Sequence, residues 1–144
     1  MFIKPLNRRR DEDGFTLIEL LVVVVILGIL IGIAIPVYLN YRKNANDKAA
    51  QSDLRNAVAT MEVCNSEGAY PTSVPATGGT VCTSQTVSRS DNTTFAYALK
   101  TDGSAYIMST TNTGGSGKIY CYSSAAGGSV TTTTTAVTAY RAAC

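Results

Sequence analysis

The stretch that decides the fold is residues 14–36, which read GFTLIELLVVVVILGILIGIAIP. Of the nineteen residues 17–35, fifteen are Leu, Ile or Val, and Glu19 carries the only charge. Moving these apolar side chains into a bilayer gains about 5–9 kcal/mol, against a cost of about 3 kcal/mol for one acidic residue at the bilayer centre. The stretch is therefore predicted to cross a membrane as a helix.

Glu19 is the anomaly within this stretch, because a carboxylate inside the apolar layer is costly unless it is paired or protonated. It lies close to the start of the apolar run. Two interpretations follow from the spacing alone. Either the carboxylate reaches water at the level of the lipid headgroups, or it has a function within the membrane.

The residues around this stretch resemble the prepilin leader of type IV pilins and related pseudopilins. Residues 8–10 are all arginine, residues 11–13 are all acidic, and Gly14 stands directly before the sequence FTLIEL. In that family a membrane peptidase cleaves after the glycine, on the cytoplasmic side, and methylates the new amino terminus. The resemblance implies cleavage between Gly14 and Phe15, and methylation of Phe15.

The resemblance also implies a role for Glu19. Its carboxylate would pair with the freed amino terminus at Phe15 of a neighbouring subunit, which would compensate the buried charge and set the axial register of a polymer. The implied function is that of a structural subunit of a type IV pilus filament, in adhesion, motility or DNA uptake. The alternatives are a pseudopilin of a type II secretion or competence DNA-uptake system and, more distantly, a monomeric membrane-anchored binding module.

The partners implied by this resemblance are further copies of the chain in a helical homopolymer, the prepilin peptidase, the pilus assembly machinery and the membrane. The implied location is the bacterial cell envelope, in the cytoplasmic membrane before assembly and in a surface filament afterwards. A conventional secretory signal fits poorly, because the apolar run is too long and no small-x-small cleavage site follows it.

Four segments are predicted along the chain: a leader over 1–14, a membrane and assembly helix over 15–36, an amphipathic helix over 37–67, and a region over 68–144 with a loop, an antiparallel sheet and a disulfide-bounded C-terminus. Leu54 and Met61 recur at helical spacing, and Gly68 provides a stop signal. Polar residues, Asp47 and Asp53 among them, are expected on the helix face opposite the apolar stripe. The predicted fold class is α+β, a long helix packed on three or four antiparallel strands.

The predicted membrane helix contains three residues that are unfavourable in a helix interior, Gly28, Gly32 and Pro36. The spacing Gly-x-x-x-Gly permits a close helix–helix contact in lipid. Alternatively, the two glycines and the proline weaken the helix locally. The resemblance favours the second interpretation, because in the pilin family this zone can unwind when subunits leave the membrane for the filament.

Beyond the helix, residues 69–93 are predicted to form a long connection rich in Pro, Thr, Ser and Gly. Strands are predicted over 94–100 and 105–110, joined by a turn at Asp102 and Gly103, over 118–123, and at a fourth, edge position over 129–135. The threonines at 131–135 favour this strand over O-glycosylation, which stays an alternative.

Four cysteines follow the apolar run with no Cys-x-x-Cys spacing, and the chain has no histidine, so two disulfides in an oxidising environment are expected rather than a metal site. Three pairings are possible. The pairing Cys64–Cys82 with Cys121–Cys144 is preferred because both loops are local.

Composition argues against catalysis and nucleic-acid binding. Twelve basic and ten acidic residues give a net charge of +2, and loss of residues 1–14 would leave the chain near neutral, so no strong attraction to nucleic acid is expected. Without histidine, and with scattered acidic residues, no catalytic residues and no cofactor are expected. The acidic turn residues Asp91 and Asp102 are expected to serve turns rather than calcium.

Overall fold

The computed structural model describes residues 14–144, and residues 1–13 of the leader predicted over 1–14 lie outside the described residues. The elements are α1 Leu17–Glu67, β1 Gly79–Thr80, β2 Thr86–Val87, β3 Thr93–Leu99, β4 Tyr106–Asn112, β5 Ile119–Ser123 and β6 Thr131–Thr133. Two antiparallel sheets follow one long helix, so the predicted α+β class is confirmed. The chain divides into two compact units between Val37 and Tyr38.

The N-terminal unit is the apolar part of α1. Its large apolar side chains are exposed, from 46% at Val22 to 81% at Leu17, and the most apolar window has a mean hydropathy of 3.2. This helix is long and apolar enough to cross a membrane. It continues through Pro36 without interruption, and the expected loss of helix between Gly28 and Pro36 concerns an assembled filament, where it stays a prediction.

The second half of α1 supplies one wall of the main core. Ala50, Leu54, Ala57 and Met61 follow one another at intervals of three or four residues and are fully or almost fully buried. That spacing places them on one face of the helix, which packs against the sheet. The helix ends at Glu67, as the stop signal predicts.

Asp47 and Asp53 do not lie on the exposed polar face of α1, where the sequence analysis expected them. Both lie on the packed side of α1 and are only 3% and 7% exposed. Burial of a carboxylate requires hydrogen-bond donors, and serines from distant loops supply them, as described below. The prediction was wrong because the spacing of charged residues along a helix does not reveal such partners.

The larger sheet has the order β3-β4-β5-β6, with every neighbouring pair antiparallel. The register sets Leu99 opposite Tyr106, Thr111 opposite Ile119, and Cys121 opposite Thr131. The predicted antiparallel meander of three or four strands is confirmed with four, the last of which has only three residues. The first hairpin turn uses Gly103 at a φ of 72°, a conformation that glycine adopts without strain.

The connection predicted over 69–93 is partly ordered into a second sheet. β1 and β2 pair antiparallel, with Gly79 opposite Val87 and Thr80 opposite Thr86. Strands of two residues carry no alternating pattern, so this prediction missed them. The disulfide Cys64–Cys82 attaches this hairpin to the end of α1.

The C-terminal segment covers the sheet face opposite α1. Val137 is 5% exposed and packs against Ile107 and Cys121 in a second, smaller core. The Val137 backbone N–H donates to Ser109 Oγ at 3.0 Å, and Cys144 is bonded to Cys121. Both faces of β4 are therefore buried, which explains its nearly continuous burial over Tyr106–Asn112.

Candidate processing and assembly site

The start of α1 forms a capping box between Thr16 and Glu19. The Thr16 backbone N–H donates to Glu19 Oε2 at 3.0 Å, and the Glu19 backbone N–H donates to Thr16 Oγ1 at 3.3 Å. Leu20 N–H then donates to the Thr16 carbonyl oxygen at 3.3 Å. These reciprocal bonds satisfy backbone donors that a helix start otherwise leaves unpaired.

The Thr16 hydroxyl also donates to Glu19 Oε2, at 2.7 Å. The second carboxylate oxygen, Oε1, accepts no hydrogen bond from the residues that the structure describes. A carboxylate has lone pairs on both oxygens. The geometry therefore uses one oxygen to start the helix and leaves the other able to accept from a cationic group.

The sequence contains the signal for this box, although the box was not among the predictions. A threonine followed three residues later by glutamate, just before an apolar run, is the pattern of a capped helix start. The box adds a third interpretation of Glu19 to the two drawn from spacing. The acid has a local structural partner in its own chain, Thr16.

Gly14 and Phe15 precede the helix and adopt no regular secondary structure. Both are exposed, Phe15 at 81%, and a Cβ added at Gly14 would meet none of the described atoms within 4 Å. A proteolytic enzyme needs an exposed, non-helical segment, because the backbone must enter its active site. The bond between these two residues meets that geometric requirement.

Gly28 and Gly32 lie four residues apart and hence on one face of α1. A Cβ at either position would meet no atom of residues 14–144 within 4 Å, so no contact with the described part of the chain requires glycine there. The open strip is compatible with a close approach by another helix. It is equally compatible with local weakening of the helix, so both interpretations from the sequence persist.

The two disulfides of the globular unit are Cys64–Cys82 and Cys121–Cys144, the pairing preferred from loop length. Among the described residues no cysteine is free and no cluster of three or more His, Cys, Asp or Glu side chains could hold a metal ion.

Two buried aspartates join α1 to loops far away in sequence. Asp47 Oδ1 accepts from the Ser116 backbone N–H at 3.0 Å, and its Oδ2 accepts from the Ser116 hydroxyl. Asp53 Oδ2 accepts from the Ser90 N–H at 2.7 Å, and its Oδ1 accepts from the Ser90 hydroxyl at 3.0 Å. A Cβ at Gly115 would overlap Asp47 Oδ1, so this loop needs glycine beside the carboxylate.

Four tyrosines surround the far end of the core rather than forming an exposed stacking surface. Tyr106 is fully buried, with ring centroids 4.8 Å from Tyr70, 5.7 Å from Tyr97 and 5.8 Å from Tyr122. The hydroxyls of Tyr70 and Tyr106 both donate to Glu62, at 3.1 and 3.2 Å. Burial, with the nearby Glu62 carboxylate, raises the pKa of Tyr106 well above its ordinary value.

Comparison with protein families finds a match in the N-terminal part of the chain. The model of the prokaryotic N-terminal methylation motif matches residues 9–35. The chain is 38% identical over 65 residues to type II secretion system core protein G of Pseudomonas aeruginosa, covering 44% of this chain and 46% of the relative. It is 46% identical over 54 residues to the type IV wide pilus major component PilA4 of Thermus thermophilus, covering 38% and 41%.

A third relative is the type IV major fimbrial protein FimA of Dichelobacter nodosus, 42% identical over 57 residues, with 40% of this chain and 36% of the relative covered. The matched stretches thus span less than half the length of each of these relatives. No solved structure matches the chain.

The chain combines the prokaryotic N-terminal methylation motif, on an apolar helix, with an α+β globular unit of pilin-like architecture. The chain is homologous to type IV pilins and to the type II secretion pseudopilin protein G. Its apolar helix and its pilin relatives fit a membrane-anchored protein of the cell envelope.

Proposed function

We propose that the chain is a structural subunit of a type IV pilus filament, polymerised through the apolar part of α1. One observation carries the proposal. The helix that bears the methylation motif has large apolar side chains that no other described part of the chain covers. The relatives named for pilus and fimbrial proteins support it.

An exposed apolar helix of this length is not stable in water. Fifteen Leu, Ile and Val side chains of residues 17–35 are each about half exposed or more, so covering them gains on the order of 20 kcal/mol. Lipid covers them in a membrane, and the same helix of neighbouring subunits covers them in a filament. Exchanging one apolar environment for the other has a modest net cost, which allows growth and retraction.

The peptidase would remove residues 1–14 and methylate Phe15. The freed amino terminus of one subunit would then pair with Glu19 of a neighbour. The capping box supports this pairing, since it holds the carboxylate through Oε2 and leaves Oε1 to accept from the amine. A paired charge is tolerated in an apolar environment where a single charge is not.

A pseudopilin of a secretion system is the second candidate, favoured by the 38% identity to type II secretion protein G. The two candidates share the helix and the processing and differ in where the polymer lies. The tail joined by Cys121–Cys144, exposed at its edge over Thr131–Thr135, suits a subunit that meets the exterior. In either case the role is structural, and we assign no catalytic residue.

Immunogold electron microscopy tests the proposal. Antibody raised against the globular unit should label fibres on wild-type cells, and deletion of the gene should remove the labelled fibres while complementation restores them. Labelling confined to the envelope, with secretion lost in the deletion strain, would support the function of a pseudopilin instead of a pilus subunit. A monomer spread over the membrane, with no polymer in detergent extracts, would contradict both.

A further inference from the structure

A cavity of about 460 Å³ lies beside the first turns of α1 in the globular unit. Its lining residues come from three chain segments: Leu39, Arg42, Lys43, Asn46, Asp91, Asn92 and Gly114. This volume falls within the range of roughly 300–1,000 Å³ that is typical of small-molecule sites. None of its lining residues belongs to the processing site at Gly14 and Phe15.

The two walls of this cavity carry opposite charges. Arg42 and Lys43 belong to α1, whereas Asp91 precedes β3. Among the described residues, ion pairs form only between Lys100 and Asp102 and between Lys118 and Asp47. The two cations and the carboxylate therefore share one cavity without neutralising each other.

The wall that carries Asp91 is held in place by hydrogen bonds. The Asp91 carbonyl oxygen accepts from Asn112 Nδ2 at 2.9 Å, and the Gly114 carbonyl oxygen accepts from Asn46 Nδ2 at 2.8 Å. These bonds use backbone oxygens and leave the Asp91 carboxylate without a hydrogen bond to the described residues. The site thus combines an exposed carboxylate, on a loop whose backbone is held by hydrogen bonds, with two exposed basic side chains of α1 that line the same cavity.

The cavity begins where the apolar run ends. Leu39 follows Ile35 by four residues, and the intervening segment contains the exposed Tyr38, with Tyr41 one turn later, at 65% and 72% exposure. Tyrosines are enriched at the level of the lipid headgroups, where the ring is in apolar surroundings and the hydroxyl in water. A helix that crosses the bilayer as far as Ile35 would bring Arg42 and Lys43, seven and eight residues further along, to the level of the lipid phosphates.

We propose that this cavity binds the headgroup of an aminophospholipid, phosphatidylethanolamine, in the leaflet opposite the processing site. The phosphate lies against Arg42 and Lys43, and the ammonium group donates to the Asp91 carboxylate. A purely anionic lipid would place its charge near Asp91 without compensation. A choline headgroup has no N–H with which to donate to the carboxylate. The inference concerns the membrane-bound stage and goes beyond the role in a filament.

Lipid retention by the full-length chain tests this assignment. The chain is reconstituted in nanodiscs with equal amounts of phosphatidylethanolamine, phosphatidylcholine and phosphatidylglycerol, and native mass spectrometry counts the lipids that stay bound. We expect phosphatidylethanolamine to exceed phosphatidylcholine by about fivefold, as a few charge-assisted hydrogen bonds at a partly exposed site allow.

Substitutions separate the two walls. Asp91→Asn should abolish the preference for phosphatidylethanolamine over phosphatidylcholine and increase retention of phosphatidylglycerol. The double variant Arg42→Gln/Lys43→Gln should lose all three lipids, while Lys48→Gln, an exposed lysine outside the cavity, should behave as wild type. Circular dichroism verifies that each variant is folded.

Three results would overturn the proposal. The wild-type chain could retain phosphatidylethanolamine and phosphatidylcholine equally, it could retain phosphatidylglycerol alone, or the preference could persist in Asp91→Asn. Retention of phosphatidylglycerol alone would show that the basic residues attract anionic lipid without a specific headgroup site. None of these outcomes depends on whether the chain forms filaments, so they are distinguishable from a failure of the proposed function.

Discussion

Replacing Glu19 separates the two uses of its carboxylate, helix capping and pairing with a cation. Glutamine can still accept from Thr16 and so preserves the capping box, but it removes the charge. Valine removes both. Thr16→Ala keeps the charge and removes one side of the box, at a cost of about 0.5–2 kcal/mol to the start of the helix.

If Glu19 pairs with an amino terminus in the filament, most of the loss of assembly should come from removing the negative charge of its carboxylate. An amine buried between helices loses its partner in Glu19→Gln, and breaking a buried ion pair by removing one member costs about 3–5 kcal/mol. Each subunit added to the polymer would lose that amount, which lowers its assembly constant roughly 100-fold or more. Glu19→Gln and Glu19→Val should therefore both abolish fibres, whereas Thr16→Ala should only reduce them.

The assay compares sheared surface fibres with the amount of subunit in the membrane fraction. Glu67→Gln, at the exposed end of the same helix, serves as the matched control and should assemble normally. Membrane insertion should be equal in all four variants, because none lowers the hydropathy of the helix. Wild-type fibre yield from Glu19→Gln would refute the charge pair, and an equal loss in Thr16→Ala would transfer the role to capping.

Three further predictions concern the globular unit. Ser116→Ala should lower the free energy of unfolding by about 1.5–3 kcal/mol, because the buried Asp47 loses a hydroxyl donor; chemical denaturation measures this. Removal of the second disulfide in Cys121→Ser/Cys144→Ser should cost about 3 kcal/mol, since its ends are 23 residues apart. The folded unit should also lose stability as pH rises above about 10, because ionisation of the buried Tyr106 is disfavoured only in the folded chain.

Controls and contrary results for these predictions are direct. Ser66→Ala, which removes a hydroxyl bonded only to its own helix, should change the unfolding free energy by less than about 0.5 kcal/mol. If Ser116→Ala lowers the free energy of unfolding by no more than this, the hydrogen bond from Ser116 to Asp47 does not stabilise the fold beyond what water would provide. Equal stability of the disulfide variant, or a flat stability profile to pH 11, would contradict the second and third predictions; Tyr106→Phe should shift the alkaline transition upward.

Local sequence patterns predicted the elements whose cause is local. The spacing of Leu54, Ala57 and Met61 marked the buried helix face, and glycine-containing turns marked the hairpin between β3 and β4. Short loop lengths favoured the disulfides that the structure has. The capping box at Thr16 was also present in the sequence as a spacing of three residues.

Contacts between distant segments could not be predicted in this way. Asp47 and Ser116 are 69 residues apart, and Asp53 and Ser90 are 37 apart. Nothing in the helix periodicity distinguishes these aspartates from solvated ones, because their burial depends on donors in loops whose path is set by the whole fold. The cavity beside Arg42 is likewise assembled from three segments that only the tertiary structure brings together.

The most direct test of the central claim is the mass of the subunit recovered from purified surface fibres. The central claim is that one apolar helix anchors the processed chain in lipid and later forms the shared core of a polymer. It predicts a subunit that begins at Phe15, carries one N-terminal methyl group and contains both disulfides. A fibre subunit that retains Gly14 and the residues before it, or fibres that lack this chain altogether, would contradict the account.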